Sequence, residues 1–228
     1  MRSLSCILAC AVLATGAPAS AEPETGSRLD RRPNAVVDSA NDPIVSRVIN
    51  TFARCVAGAR PEWSDGLLAM QLLSDEQMRV IGKEATGLNQ CYQTSQFDLH
   101  FNPLSFVGGV AEQRVAARFK GAEVTKLSTI TDDMLFASAA APKTTAEDLA
   151  SCIARRDPTI VRALIDTKPT STEEATLIGK LVKHLGGCVP AGAKLKLNKQ
   201  TVRAYAAVGL HHLLANEAAL ASAKSGQN

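Results

Sequence analysis

The sequence predicts an all-α protein of two pseudo-repeated four-helix units, each stapled by a disulfide. Three observations lead there. Apolar residues recur at helical spacing along most of the chain, with capping residues or proline at the starts of the runs. Cys55 and Cys91 lie 36 positions apart, and so do Cys152 and Cys188. Laid on 149–188 without a gap, residues 52–91 match at 12 of 40 positions, which reads as an internal repeat.

The matched positions fall where helix physics places demands: Pro61 on Pro158, Ser74 on Ser171, Glu76 on Glu173, and the two cysteine pairs. The first unit is expected over 41–120 and the second over 144–221, with 121–143 as a mixed linker. In the first, Asp42 caps a helix whose first residue is Pro43, and Val45, Val48, Ile49, Phe52 and Val56 form its buried stripe. A second helix opens at Pro61 and at Pro158, with Asp157 a good cap and Arg60 a poor one. Ser74–Gln77 and Ser171–Glu174 read as capping boxes for a third helix. Its stripe is Met78, Ile81, Ala85 and Leu88 in one unit, and Ala175, Ile178, Val182 and Leu185 in the other. Gly186-Gly187 is expected to end that helix in a left-handed turn. Short extended pieces are expected at Asp98–Phe101 and Lys194–Leu197, each followed by a fourth helix. Leu104, Val107, Ala111 and Val115 mark that helix in the first unit. In the second, Val202, Tyr205, Ala206, Gly209, Leu210, Leu213 and Leu214 give a wide stripe.

Composition bounds the function. The 228 residues are 46% hydrophobic and 21% charged, with a net charge of +3, which is long enough for a sizeable core. A collagen-like or broadly disordered chain is excluded, and there is no dense basic field of the kind nucleic-acid binders carry. Residues 1–21 have the layout of a secretory signal peptide: Arg2, an apolar run from Leu4 to Ala14, and a small-residue cleavage site at Ala19-Ser20-Ala21. The competing reading is a lipoprotein box ending at Cys10, which would leave only nine residues upstream. With the leader removed, Cys55, Cys91, Cys152 and Cys188 remain, an even set for an oxidising compartment. Four cysteines allow three pairings; the repeat favours Cys55–Cys91 with Cys152–Cys188, while a bridge between equivalent positions such as Cys55–Cys152 stays open. Residues 22–40 and 222–228 are expected to be disordered, and no mature segment is apolar enough to span a membrane.

Each candidate for chemistry has a plainer reading beside it. His211-His212 are neighbours that do not converge on one ligand, so solvated or helix-end histidines are expected. His184 stands four before Cys188, a zinc spacing, but a cysteine in this setting is bridged rather than ligating. Cysteines 36 apart are structural rather than a redox dithiol. Asp132 or Asp133 is expected to cap a short helix, and Trp63 to anchor the core. Lys194, Lys196, Lys199 and Arg203 could make a weak contact with anionic lipid or glycan, but a solvated face is expected. No nucleophile, base and acid trio stands out.

In Cys152–Pro158, Ser171–Glu174, Cys188–Ala193 and the alanine-rich helix from Arg203, the chain resembles uncharacterised small secreted all-helical proteins of alphaproteobacteria. The resemblance covers most of residues 43–215 and implies an envelope location. Its motifs are caps, turns and staples, so it assigns no active site. The expected function is that of a non-catalytic periplasmic or secreted binding or interaction module without a cofactor. Its partner would be an envelope protein or a small ligand. The alternatives are a small-ligand carrier or a hydrolase with its site between the units.

Overall fold

Proline at the first helical position recurs at four helix starts, Pro43, Pro61, Pro103 and Pro158. The missing N–H of proline is one that a helix start leaves unpaired in any case, so it sets the backbone angle at no hydrogen-bond cost. The computed structural model describes residues 42–85, 89–91, 102–136, 141–189 and 197–225. They contain nine α-helices, three 3-10 turns and no strand. In order these are α1 (Pro43–Ala59), α2 (Pro61–Ala69), α3 (Asp75–Ala85), α4 (Pro103–Arg118), α5 (Asp132–Phe136), α6 (Thr145–Arg156), α7 (Pro158–Asp166), α8 (Thr172–Val182) and α9 (Lys199–Ser225). None is long and apolar enough to cross a membrane.

Local chemistry sets the boundaries. Asp42 accepts from the amides of Ile44 and Val45, and Asp157 accepts from Ile160. Arg60, which has no suitable side chain, makes no capping bond. The two capping boxes close differently from the expected form. Ser74 and Ser171 accept from the amides of Gln77 and Glu174, as a box requires. The return bond goes one residue further back, from the amide of Leu73 to Gln77 Oε1 at 2.8 Å and from that of Thr170 to Glu174 Oε2 at 2.5 Å. Leu73 and Thr170 both have left-handed backbone angles, with φ of 61° and 66°, which turns their N–H groups toward those side chains. Such angles are rare outside glycine and are held by the bonds they permit.

α4 and α9 pack on one another, α1 packs on α4, and α6 packs on α9. The crossings are built from residues without bulk. A β-carbon on Gly108 would lie 2.6 Å from Ala204, one on Gly109 2.7 Å from the Ala53 methyl, and one on Gly209 2.0 Å from the Ala150 carbonyl oxygen. Few aromatic residues are needed between helices this close; Phe52, Phe106 and Trp63 fill the wider gap near α2, with Trp63 edge-on to Phe106 at 6.5 Å. One continuous core runs through both halves of the chain. Disulfides join Cys55 to Cys91 and Cys152 to Cys188, with Cα atoms 5.7 and 5.6 Å apart. Each fastens a long helix, α1 or α6, to the 3-10 turn that carries the second cysteine.

Several sequence expectations are corrected. Val48, Met78 and Val182 are exposed, because each helix rests on a narrow seam and the edges of its stripe stay open. Gly186 and Gly187 adopt no left-handed angle; α8 stops at Val182 and a 3-10 turn, Leu185–Cys188, carries the chain to the disulfide. The linker holds a 3-10 turn (Thr125–Thr129) and α5, with Leu127 and Leu135 buried. Thr131, not an aspartate, supplies the α5 cap, accepting from the Met134 amide. α9 continues to Ser225, through part of the expected disordered tail. Residues 22–40 and 98–101 lie outside the described residues, as do 194–196 and Leu88.

The crossings make a specific prediction. Gly209→Leu should cost about 3 kcal/mol or more, since neither helix backbone can yield at that contact. Gly66→Ala, exposed in α2 with nothing within 4 Å of its added carbon, should be neutral or stabilise by up to about 1 kcal/mol. Chemical denaturation of the two variants checks the contrast.

Candidate functional site

Arg203, in the second turn of α9, is buried rather than solvated, with 4% of its side chain exposed. Its Nε donates to Glu112 Oε1 at 2.6 Å and its Nη2 to Glu112 Oε2 at 2.9 Å, a forked pair. Nη2 also reaches the carbonyls of Thr167 at 3.0 Å and Ile165 at 3.3 Å. Nη1 donates to Thr167 Oγ1 and to Glu174 Oε1, both at 3.0 Å. Glu112 further accepts from Asn50 Nδ2 at 3.0 Å and lies 3.6 Å from Arg54 Nη1. The group ties α9 to α4, to α1 and to the turn between α7 and α8. Burial works against the charge on Arg203, but Glu112 and Glu174 more than offset it and raise the guanidinium above its ordinary value.

This group floors a cleft of about 640 Å³. Its rim is formed by four helix starts: Pro43 and Ser46 of α1, Ser105 of α4, Thr172 of α8, and Lys199 and Gln200 of α9. Each helix presents the positive end of its dipole there. The Ser105 hydroxyl is buried on the cleft wall and has no hydrogen-bond partner among the described residues. Hydroxyl and amide side chains of Ser46, Asn50, Thr172, Asn198 and Gln200 line it beside apolar surface from Pro169, Ala175 and Leu197.

A second cleft, of about 340 Å³, lies between α2, α4, α6 and α9. His211 and His212 both line it, and His211 is buried, contrary to the solvated reading. Phe119 meets the His211 ring edge-on at 5.8 Å. Neither His211 nitrogen has a hydrogen-bond partner among the described residues. Leaving buried polar groups unpaired costs about 1–3 kcal/mol each. Burial, with His212 beside it, pushes the His211 imidazole down to about 3. His212 is also lowered by burial, although its Nε2 bonds the Leu68 carbonyl at 2.8 Å. Since that carbonyl only accepts, Nε2 carries the proton and Nδ1 keeps a lone pair. Nearby, Asp65 accepts a forked pair from Arg114 at 2.8 and 2.7 Å. Burial would raise the Asp65 carboxyl, but Arg114, with help from Arg118 and His211, holds it below its ordinary value.

The other sequence candidates resolve as structure. Cys188 is bonded to Cys152 and is not a ligand beside His184. Among the described residues no three histidine, cysteine, aspartate or glutamate side chains are grouped to hold a metal. Asp132 pairs with Arg155, which also donates to the Ile130 carbonyl and so ties the linker to α6. Lys194 and Lys196 lie outside the described residues, and Lys199 is exposed. Sequence reasoning missed Glu112, Arg203 and His211 as buried groups. The available signal was the run 202–215, apolar on nearly every side: a helix buried all round takes its embedded polar residues in with it. Searches for relatives among protein families, curated proteins and solved structures return no match.

Two outcomes are expected. Arg203→Met strands two buried carboxylates and should cost about 3–5 kcal/mol, most of it recovered when Glu112 and Glu174 are also made leucine. Denaturant midpoints of the single and triple variants measure this. The second concerns pH. His211 titrates near 6.5 in the unfolded chain and near 3 in the folded one, so between those values the unfolded state holds the extra proton. Stability should therefore fall as pH drops through that window, by up to about 1.4 kcal/mol per pH unit. Asp65 adds to the loss below about pH 4. His211→Phe should flatten the upper part of the profile.

Proposed function

We propose that the chain is an exported, non-catalytic binding protein that holds a small polar solute in the larger cleft, between two copies of a duplicated helical unit. The observation that carries the reading is the cleft itself. Its volume of about 640 Å³ falls in the range typical of small-molecule sites, and its floor is a buried ion group whose donors are all engaged. A fixed floor beneath a rim of hydroxyls, amides and helix starts is a preorganised polar receptor.

The duplication is supported by element lengths and shared local geometry. α2 and α7 are both nine residues long and start 97 positions apart; α3 and α8 are both eleven residues long with the same offset. Leu73 and Thr170, the two left-handed residues, are again 97 apart, and each donates its amide to the residue four ahead. In this reading α1–α4 and α6–α9 are the two copies, and the cleft is lined by α1 and α4 of one and α8 and α9 of the other. Export is supported by the leader-like first 21 residues and by two disulfides, which persist in oxidising compartments.

Native mass spectrometry of the protein isolated intact from its own envelope fraction tests this. A discrete added mass is expected on the wild type and not on Thr172→Trp, where an exposed rim residue becomes bulky enough to fill the mouth. An added mass that survives in that variant, or none on either protein, defeats the reading.

A further inference from the structure

The smaller cleft supports a separate inference, which does not depend on the larger one. A neutral imidazole offers one donor and one acceptor, and His211 has neither matched by a described protein group although it lines an open cleft. The charges around it are unbalanced. Three cations, Arg114, Arg118 and Lys143, stand against two carboxylates, Asp65 and Glu147. Both carboxylates are already engaged: Asp65 by the Arg114 fork, and Glu147 by the amides of Leu72 at 2.8 Å and Lys143 at 2.6 Å. Arg118 is held only at 3.6 Å from Asp65, with its guanidinium over the Phe119 ring. Beside His211 it is a loosely paired cation, able to turn toward a ligand. Leu68, Met70 and Ala215 give the opposite character, an apolar wall.

We propose that this cleft binds a short-chain monocarboxylate, with the carboxylate between Arg118 and His211 and the alkyl stem along Leu68, Met70 and Ala215. One loosely paired cation matches one negative charge, and about 340 Å³ suits a stem of a few carbons. A seated carboxylate favours the protonated form of His211, in which both nitrogens donate, so binding takes up a proton. The groups that face this titration are Asp65 on α2, Arg114 and Arg118 on α4, Lys143 and Glu147 at the start of α6, and His212 on α9. His212, the other imidazole, is lowered by burial, and its Nε2 stays committed to the Leu68 carbonyl.

Calorimetric titration of the full chain with sodium butyrate, at about pH 7.5 and about pH 5.5, either side of the ordinary histidine value, tests the proposal. Butyrate is expected to bind, more tightly at the lower pH by up to about tenfold per pH unit, with proton uptake seen as a buffer-dependent heat. Arg118→Gln, at a half-exposed side chain, should weaken binding about tenfold or more. His211→Phe should abolish both binding and its pH dependence, while Thr172→Trp leaves them unchanged. Absence of binding at either pH, an affinity indifferent to pH or to Arg118→Gln, or a loss in Thr172→Trp that moves the ligand to the larger cleft would each overturn it.

Discussion

A single guanidinium, taken out of water, decides where four segments of the chain meet. The N–H groups of Arg203 are distributed over Glu112, Glu174, Thr167 and one further carbonyl. The acceptors come from α4, α8 and the end of α7, so the group is satisfied in one arrangement of those elements. An apolar seam tolerates small shifts at small cost, whereas a buried charge does not. The ion group therefore adds registry to that set by the apolar core, which is built mostly of leucine, isoleucine and valine.

Around that fixed point the fold relies on proximity and covalent closure. Glycine and alanine at the crossings of α1, α4, α9 and α6 let backbones approach until dispersion contacts replace aromatic bulk. The two disulfides act mainly on the unfolded chain. Each closes a loop across 36 positions, which in the chain-entropy model is worth roughly 3–4 kcal/mol. Against a net stability of about 5–15 kcal/mol that is a large share. The polar groups that floor the larger cleft are thus carried by a frame that does not depend on them alone.

Helix positions were legible because their causes are local. Pro43, Pro61 and Pro158, the caps Asp42 and Asp157, and the Ser74 and Ser171 boxes act within four residues and so appear directly in the sequence. The cysteine spacing of 36 is likewise the separation of both disulfides. The clefts were not legible, because their defining contacts span the chain: Arg203 meets Glu112 across 91 positions, and Leu72 meets Glu147 across 75. Periodicity marks a face but not how wide a neighbour covers it, so Val48 and Met78 were placed inside while His211 was left outside. The left-handed turns at Leu73 and Thr170 were hidden for a different reason: neither residue type favours that geometry, and only the returning side-chain bond sustains it.

The closeness of the central crossings restricts how the molecule can move. With Gly108 against Ala204 and Gly209 against the Ala150 carbonyl, α9 has no slack to slide or roll between its neighbours. α8 is tied to the same central helices through Glu174 and Arg203, and the end of α7 through Thr167, so the larger cleft keeps its width unless the buried ion group is broken. Even the short link between α7 and α8 is pinned, because the left-handed Thr170 gives its amide to the same Glu174 that Arg203 holds.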